Sequence, residues 1–578
     1  MKKFFWLALP VLAACGSTAP GTSLERGLAG IPAEWPHAVA VTPVQAPAAM
    51  VVTDAPIATD VGAAIMRAGG NAVDAAVAVA FALAVVYPEA GNIGGGGFLV
   101  ARLADGTAVA LDFREKAPLA AQRDMFLDAA GELTDRSLLG HLASGVPGAV
   151  MGLWEAHSRF GTRPWRELVE PAIRLAEDGF VVDRELAASV RGAADRLGRF
   201  DASAALFLPG GAPIAEGSRW RNPDLGLVLR RIAASGPAGF YEGETADLIV
   251  AEMRRGGGII THEDLRRYRA EWRTPVDFTY RGHRILSMPP ASSGGIALAA
   301  IANVLEGYPL DRLGWHSAAT LHLTAEAMRR AFADRNYFLG DPAFVQFPQQ
   351  MLTSTSYAAR LRASIDRNRA TPSVRVRPGA MDQMESSHTT HFSVVDAHGN
   401  AVALTTTING LYGSGVTVAG AGIVMNNQMD DFTAKPGTPN MFGLVQGEAN
   451  AIEPGKRMLS AMTPTIVLDR DGGVLMVTGA RGGPRIISAV FQVISNVIDH
   501  GMDVGAAVHA PRIHHQHLPD ILYYEYNGLA DERIAALRAL GHDVQPRTTI
   551  GTAPTILRRG GVWTAVPDPR TGGTASGF

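Results

Sequence analysis

The sequence is short of several things that common enzyme classes need. Cys15 is the sole cysteine of the 578 residues, so no internal disulfide can form. Lysine occurs only at Lys2, Lys3, Lys116, Lys435 and Lys456, none of them three positions after a serine, which excludes a Ser-x-x-Lys acyltransferase. No Gly-x-Ser-x-Gly elbow is present, which weighs against an α/β-hydrolase. Neither sign of charge dominates: 52 Lys and Arg stand against 55 Asp and Glu, a net charge of −3. That balance points to neither nucleic acid nor an anionic membrane face as a partner. Residues 75–86 are almost wholly apolar, but a membrane span needs about 20 such residues, so this run reads as a buried core helix. At 578 residues the chain exceeds one simple core, yet no loose interdomain linker interrupts it.

The N-terminus reads as a targeting segment. Lys2-Lys3 form a basic start and residues 4–14 an apolar stretch of signal-sequence length. The run Leu12-Ala13-Ala14-Cys15-Gly16 resembles a bacterial lipobox, in which Cys15 is acylated and becomes the first mature residue. Gly16 carries no inner-membrane retention signal, so the expected location is the periplasmic face of the outer membrane, held by lipid alone. A soluble periplasmic product of an ordinary signal peptide is the alternative. Residues 16–45, rich in Pro, Ala, Gly and Thr, read as a tether.

Beyond the tether, residues 50–53 read as a first strand. Gly94 to Gly97 lead into a strand without a following Gly-Lys-Ser/Thr, so close backbone packing is favoured over a phosphate loop. Residues 148–340 look mainly helical. Residues 367–387 mix Arg, Pro, Ser, Met and Gly without apolar periodicity and read as exposed and mobile. The pattern changes abruptly at His388-Thr389-Thr390-His391. Residues 392–396 and 401–407 alternate as a hairpin about Ala397-His398-Gly399-Asn400. Further strands are expected at 465–468 and 474–478, and a helix at 485–498. Strands at both ends of the chain with helices between them suggest stacked sheets covered by helices.

A threonine opening a strand after an irregular segment suits a precursor that cuts itself. The hydroxyl is a poor nucleophile until a base takes its proton. The α-amine of an N-terminal threonine, with a reference pKa of about 7.7–8.0, is such a base, but inside an intact chain it is a blocked amide. Cleavage between His388 and Thr389 therefore creates the catalyst. Taken by itself, a Thr-Thr pair opening a strand is usually explained by β-propensity.

The wider set of motifs separates the two readings. Gly91-Asn92-Ile93-Gly94-Gly95-Gly96-Gly97-Phe98, Asp112-Phe113-Arg114-Glu115, Pro289-Pro290-Ala291-Ser292-Ser293-Gly294-Gly295, Thr389-Thr390-His391, Asn426-Asn427-Gln428-Met429-Asp430-Asp431-Phe432, Gly455-Lys456-Arg457, Gly482-Gly483 and Arg512-Ile513-His514-His515-Gln516 follow in order. With them the chain, from about Ala49 onward, resembles the γ-glutamyltransferase family of N-terminal nucleophile hydrolases. The resemblance implies an α+β fold, a four-layer αββα sandwich with two antiparallel-rich sheets between helical layers. It implies one unit built from a large fragment, 46–388, and a small catalytic fragment, 389–578. It implies Thr389 as nucleophile, Thr407 orienting it, and the backbone N–H groups of Gly482 and Gly483 as the oxyanion hole. Arg114 and Ser460 would hold the substrate α-carboxylate, and Asp431, Asn409 and Gln428 its ammonium. Phe442 would sit in a lid at about residues 433–446. Glutathione and other γ-glutamyl compounds are the implied donors, water, amino acids or peptides the acceptors, with no cofactor and no metal. The run His514-His515-Gln516-His517 reads as structural.

Three positions depart from the family pattern. Ala461 replaces a serine that would share the carboxylate with Ser460, and losing a hydrogen bond to a charged group costs about 1.5–3 kcal/mol. Phe442 stands for a lid tyrosine and Arg481 for a proline before the glycine pair. A weaker Michaelis constant is expected rather than loss of activity. Two alternatives remain at this point: a cephalosporin (glutaryl) acylase of the same fold, and a lipoprotein that binds γ-glutamyl peptides without turnover.

Overall fold

The computed structural model describes residues 31–37, 42–91, 93–376 and 389–578. Alternation along the strands builds its centre. Val51, Leu99, Ala101, Phe392, Val394, Val402 and Leu404 face one apolar core. Their neighbours Met50, Val52, Phe98, Val100, Val395, Ala401 and Ala403 face another. A strand buried on both faces must be covered on both, and here a helical layer covers one face and a second sheet the other.

The first sheet runs in the order Thr574–Gly577, Met50–Thr53, Thr390–Val395, Ala401–Thr407, Gly96–Arg102, Ala108–Phe113, Glu271–Arg273. The second runs Val44–Ala46, Val562–Val566, Thr555–Arg559, Val474–Thr478, Thr465–Leu468, His283–Ser287, Val276–Tyr280. Every pairing in both is antiparallel. Helices including Pro56–Arg67, Ala72–Val86 and Trp165–Asp178 cover the first sheet. Gly294–Leu305, Ala318–Phe338 and Arg485–Ile498 cover the second. The result is the αββα sandwich of the expected fold class. Among the described residues no helix is long and apolar enough to cross a membrane.

The helix Ala72–Val86 is buried at every position, and its start is fixed by a capping box between Asn71 and Asp74. The Ala72 N–H also donates to Asp396 Oδ2 at 2.8 Å, which ties this helix to the turn of the central hairpin. Strands from either side of position 389 alternate within the first sheet: Thr390–Val395 pairs with Met50–Thr53, and Ala401–Thr407 with Gly96–Arg102. A break before Thr389 would leave those ladders intact.

One expectation holds with an addition, and two need correction. The helical region 148–340 also contains the strands Glu271–Arg273, Val276–Tyr280 and His283–Ser287, which extend the edges of both sheets. The tether does not reach residue 45. Trp35 is buried and donates its indole N–H to the His509 carbonyl at 3.1 Å, and Val44–Ala46 is a paired strand. Nor is the whole of 367–387 exposed. The N–H groups of Ala370 and Thr371 donate to the Leu540 carbonyl (2.7 Å) and Glu326 Oε1 (3.0 Å), and Ser373 is buried. Cys15, His388, Asn92 and residues 377–388 lie outside the described residues.

Candidate active site

Thr389 is 5% exposed and lines a small pocket. Arg114, Thr407, Asn409, Gln428, Asp431, Phe442, Ser460 and Gly483 line it. Gly482 is not among the lining residues and directly precedes Gly483, which is. The other site residues anticipated from the motifs converge on this pocket, while His388 and Cys15 lie outside the described residues.

Close backbone packing sets the geometry around Thr389. Gly95 lies so near the central hairpin that a Cβ there would sit 2.0 Å from the Thr407 carbonyl oxygen. Glycine is thus required, and the Gly94–Gly97 run supports Thr407 from behind. Thr407 Oγ1 accepts the Asn409 N–H at 2.8 Å and lies 3.3 Å from Thr389 Oγ1. Since the Asn409 amide already supplies a donor, the Thr407 hydroxyl can point its own proton at Thr389. Asn409 itself holds φ at +74°, a conformation that asparagine tolerates better than most residues.

Gly482 and Gly483 join the strand Val474–Thr478 to the helix Arg485–Ile498, with φ of +134° and +55°. A Cβ on Gly482 would come 2.9 Å from the Gly551 Cα. Arg481, in place of a proline, fixes the turn by other means: its N–H and C=O pair with Thr552 at 3.0 and 3.1 Å. Its guanidinium donates to Tyr87 Oη and lies 3.5 Å from Glu89 Oε1.

The charged end of the pocket is built from Arg114 and Asp431, which form a direct buried ion pair. Arg114 Nε donates to the Met458 carbonyl at 3.2 Å, whereas Nη1 is buried without a hydrogen bond, 3.7 Å from Glu115 Oε2. Gln428 Nε2 donates to Asp431 Oδ2 at 2.9 Å, and Gln428 Oε1 is buried with no partner. Burial raises the Asp431 pKa, opposed by Arg114 and by the Gln428 hydrogen bond. Burial likewise pushes Glu115 up to about 7, against the pull of Arg114.

Sequence reasoning missed Arg335. It lies on the long helix Ala318–Phe338, lines the pocket, and is held by Ser293 Oγ at 3.1 Å and Asn336 Oδ1 at 3.1 Å. Burial lowers its pKa to about 9, partly offset by the facing Asp431. No local pattern marks Arg335, because that helix is buried around nearly its whole circumference and carries several internal charges. The structure also gives the Pro289–Gly295 motif its role. The Ser293 N–H and Oγ donate to the Ser460 carbonyl at 2.8 and 2.6 Å, and the Ser460 N–H donates to the Ala291 carbonyl at 2.9 Å. This shelf carries Ser460 and Arg335 together. Ala461 lines the pocket beside Ser460 and brings no hydroxyl to it.

Outside the pocket, His322, Glu326 and His542 bring three potential metal-binding atoms within 4.8 Å of one another. Glu326 is committed to Arg329, Arg330 and Thr371, and His322 to His542 and the Asp366 carbonyl.

Two stacked antiparallel sheets between helical layers, with a threonine heading a central strand beside a glycine turn, define the class of N-terminal nucleophile hydrolases. Comparison with known proteins narrows this further. The γ-glutamyltranspeptidase family model matches residues 58–578. The chain is 47% identical to the glutathione hydrolase proenzyme of Escherichia coli K12, over 89% of each chain. It is 39% identical to the acylase ACY 1 proenzyme of Pseudomonas sp. SE83, over 91% of this chain and 92% of that one. Among solved structures, the cephalosporin acylase from Bacillus halodurans superposes with a TM-score of 0.84 at 30% identity, covering 95% of this chain and 99% of its own. The chain belongs to the γ-glutamyltranspeptidase family.

Proposed function

We propose that the protein is an autoprocessing γ-glutamyltransferase and glutathione hydrolase. The observation that carries this reading is that, beside Asp431, two residues lining the Thr389 pocket each keep a buried polar atom without a hydrogen bond: a donor, Arg114 Nη1, and an acceptor, Gln428 Oε1. A γ-glutamyl group ends in a carboxylate and an ammonium, which need one donor set and one acceptor set. The planar guanidinium suits the carboxylate, with Ser460 beside it. Asp431, Gln428 and Asn409 suit the ammonium.

Maturation starts with attack of Thr389 Oγ1 on the His388 carbonyl. The N-to-O shift frees the Thr389 α-amine and leaves the His388 acyl group as an ester on Oγ1, which water hydrolyses to release the His388 carboxylate and restore the hydroxyl. In turnover that amine takes the hydroxyl proton as Oγ1 attacks the γ-carbonyl. The N–H groups of Gly482 and Gly483 receive the oxyanion, a kind of contact whose removal costs about 2.7–4 kcal/mol of barrier. The proton passes to the departing amine, cysteinylglycine in the case of glutathione. Water or an acceptor amine then attacks the γ-glutamyl ester and returns the proton to Thr389. Thr407 orients the nucleophile, and Phe442 and Leu444 cover the bound group. The two fragments stay together as a heterodimer through the shared sheet.

A glutaryl acylase has no use for an ammonium partner, and the set of Asp431 and Gln428 favours the transferase. Turnover of a γ-glutamyl anilide with and without a dipeptide acceptor tests the assignment. Anilide cleavage that the dipeptide accelerates is expected. Cleavage of a glutaryl anilide in preference to the γ-glutamyl one would contradict it.

We also propose export with acylation at Cys15, giving a lipid-anchored protein on the periplasmic face of the outer membrane; the lipobox-like run ending at Cys15 supports this. Mass spectrometry of the mature N-terminus should find an acylated Cys15. An unmodified N-terminal residue at another position would contradict the anchor.

A further inference from the structure

The run His514-His515-Gln516-His517 takes no part in the mechanism above, yet it is buried throughout. Gln516 reaches from this run to the lid. Its Nε2 donates to the carbonyls of Phe442 (3.3 Å), Gly443 (3.0 Å) and Leu518 (3.3 Å). With the amide nitrogen facing three carbonyls, Oε1 is left to accept from His514 Nε2 at 2.9 Å. His514 therefore carries its proton on Nε2, and Nδ1 accepts from Ser488 Oγ at 2.7 Å. Burial keeps this ring neutral, with its pKa lowered to about 3. Ser488 lies on the helix Arg485–Ile498, which begins directly after the Gly482-Gly483 turn.

We propose that Gln516 is a positioning residue that fastens the lid over the γ-glutamyl group, and that the relay from Ser488 through His514 fixes its orientation. This inference rests on the proposed function. Phe442 and Leu444 both line the pocket, and the Phe442 and Gly443 carbonyls are the points where Gln516 grips the segment between them. The lid's other anchors lie nearer the charged end: the Met441 N–H donates to Asp430 Oδ2 at 2.9 Å, and Gln446 Nε2 to the Asp431 carbonyl at 3.0 Å. Without Gln516 the Phe442–Leu444 stretch loses its side-chain tie to 513–517, and the part-buried Phe442 carbonyl and the buried Gly443 carbonyl lose a donor. The nucleophile and the oxyanion turn are untouched. The effect therefore falls on binding of the donor substrate and spares the chemical step.

The test uses the full-length, self-cleaved protein with γ-glutamyl p-nitroanilide as the probe. Gln516→Met keeps the length of the side chain and removes its donors. It should raise the donor KM about tenfold and leave kcat within about twofold. Gln516→Glu turns an acceptor toward the two lid carbonyls and should raise KM at least as far. In a Phe442→Ala background Gln516→Met should change KM much less than in the wild type, because both residues act through one lid. An unchanged KM in a cleaved Gln516→Met or Gln516→Glu protein overturns the inference. So does full additivity with Phe442→Ala. Failure of Gln516→Met to self-cleave also counts against it, since lid fastening is not required for the chemistry at Thr389. Wild-type turnover of the same anilide separates the two levels: if it is present, an unmoved KM sinks the role of Gln516 alone.

Discussion

Thr389→Ala leaves the chain uncut and removes turnover to the level of the buffer. One side chain serves both reactions: its hydroxyl starts the break before position 389, and the same hydroxyl then carries the acyl group. The substitution leaves the surroundings nearly unchanged. The Thr389 hydroxyl lies 3.3 Å from that of Thr407, and the strand Thr390–Val395 is held by ladders on both sides. A folded but intact protein is therefore expected, visible as one band on a denaturing gel where the wild type gives two. Thr389→Ser keeps the hydroxyl and loses the methyl group that restricts its rotamers. It should cleave and turn over, both more slowly. A cut, active Thr389→Ala protein would refute the assignment of the nucleophile.

Asp431→Asn lowers kcat/KM for a γ-glutamyl anilide by about a hundredfold while barely changing that for a glutaryl anilide. The substrate ammonium loses its anionic partner, and hydrogen bonds between charged groups contribute about 1.5–3 kcal/mol. The substitution also removes the anion that faces both Arg114 and Arg335, which leaves the carboxylate end of the pocket strongly cationic. Breaking one side of a buried pair costs about 3–5 kcal/mol in stability, so thermal unfolding should be followed beside the kinetics. The substrate contrast separates recognition from general damage. Loss of folding depresses both anilides together, whereas loss of the ammonium site depresses only the one that carries an ammonium. Equal losses on both would argue against Asp431 as the ammonium partner.

Much of this architecture was legible in the chain because burial imposed a period. The strands expected at 465–468 and 474–478 and the helix at 485–498 match the structure at both ends. Each has a uniform environment on each face. Val276–Tyr280 alternates buried and exposed along its length and could have been read as a strand, but it lies inside a long helical stretch. Trp35 and the segment around Ser373 sit in stretches whose polar or proline-rich composition reads as loose. Their order comes from long-range contacts, with His509 in one case and Asp520 in the other. The site was legible where motifs concentrate it, at Arg114, Gln428, Asp431 and the glycine pair. Arg335 was not, because its meaning depends on a shelf supplied by Ser293 from another part of the chain. The direct pairing of Arg114 with Asp431 was also not legible, since 317 positions separate them.

That ion pair has a mechanistic consequence. The two groups assigned to opposite charges of the substrate already satisfy each other, so a ligand must offer a carboxylate and an ammonium together to replace what it disturbs. A ligand bearing only one of them leaves a buried charge poorly matched, which is a physical basis for selectivity toward α-amino acid head groups.

The most direct test of the whole account is the intact mass of the small fragment, quenched in acid during turnover of a γ-glutamyl donor. The expected species begins at Thr389 and carries one γ-glutamyl group, lost again when a dipeptide acceptor is added before quenching. Steady turnover by a chain still continuous through residues 388 and 389, with no acyl group on any fragment, would contradict it.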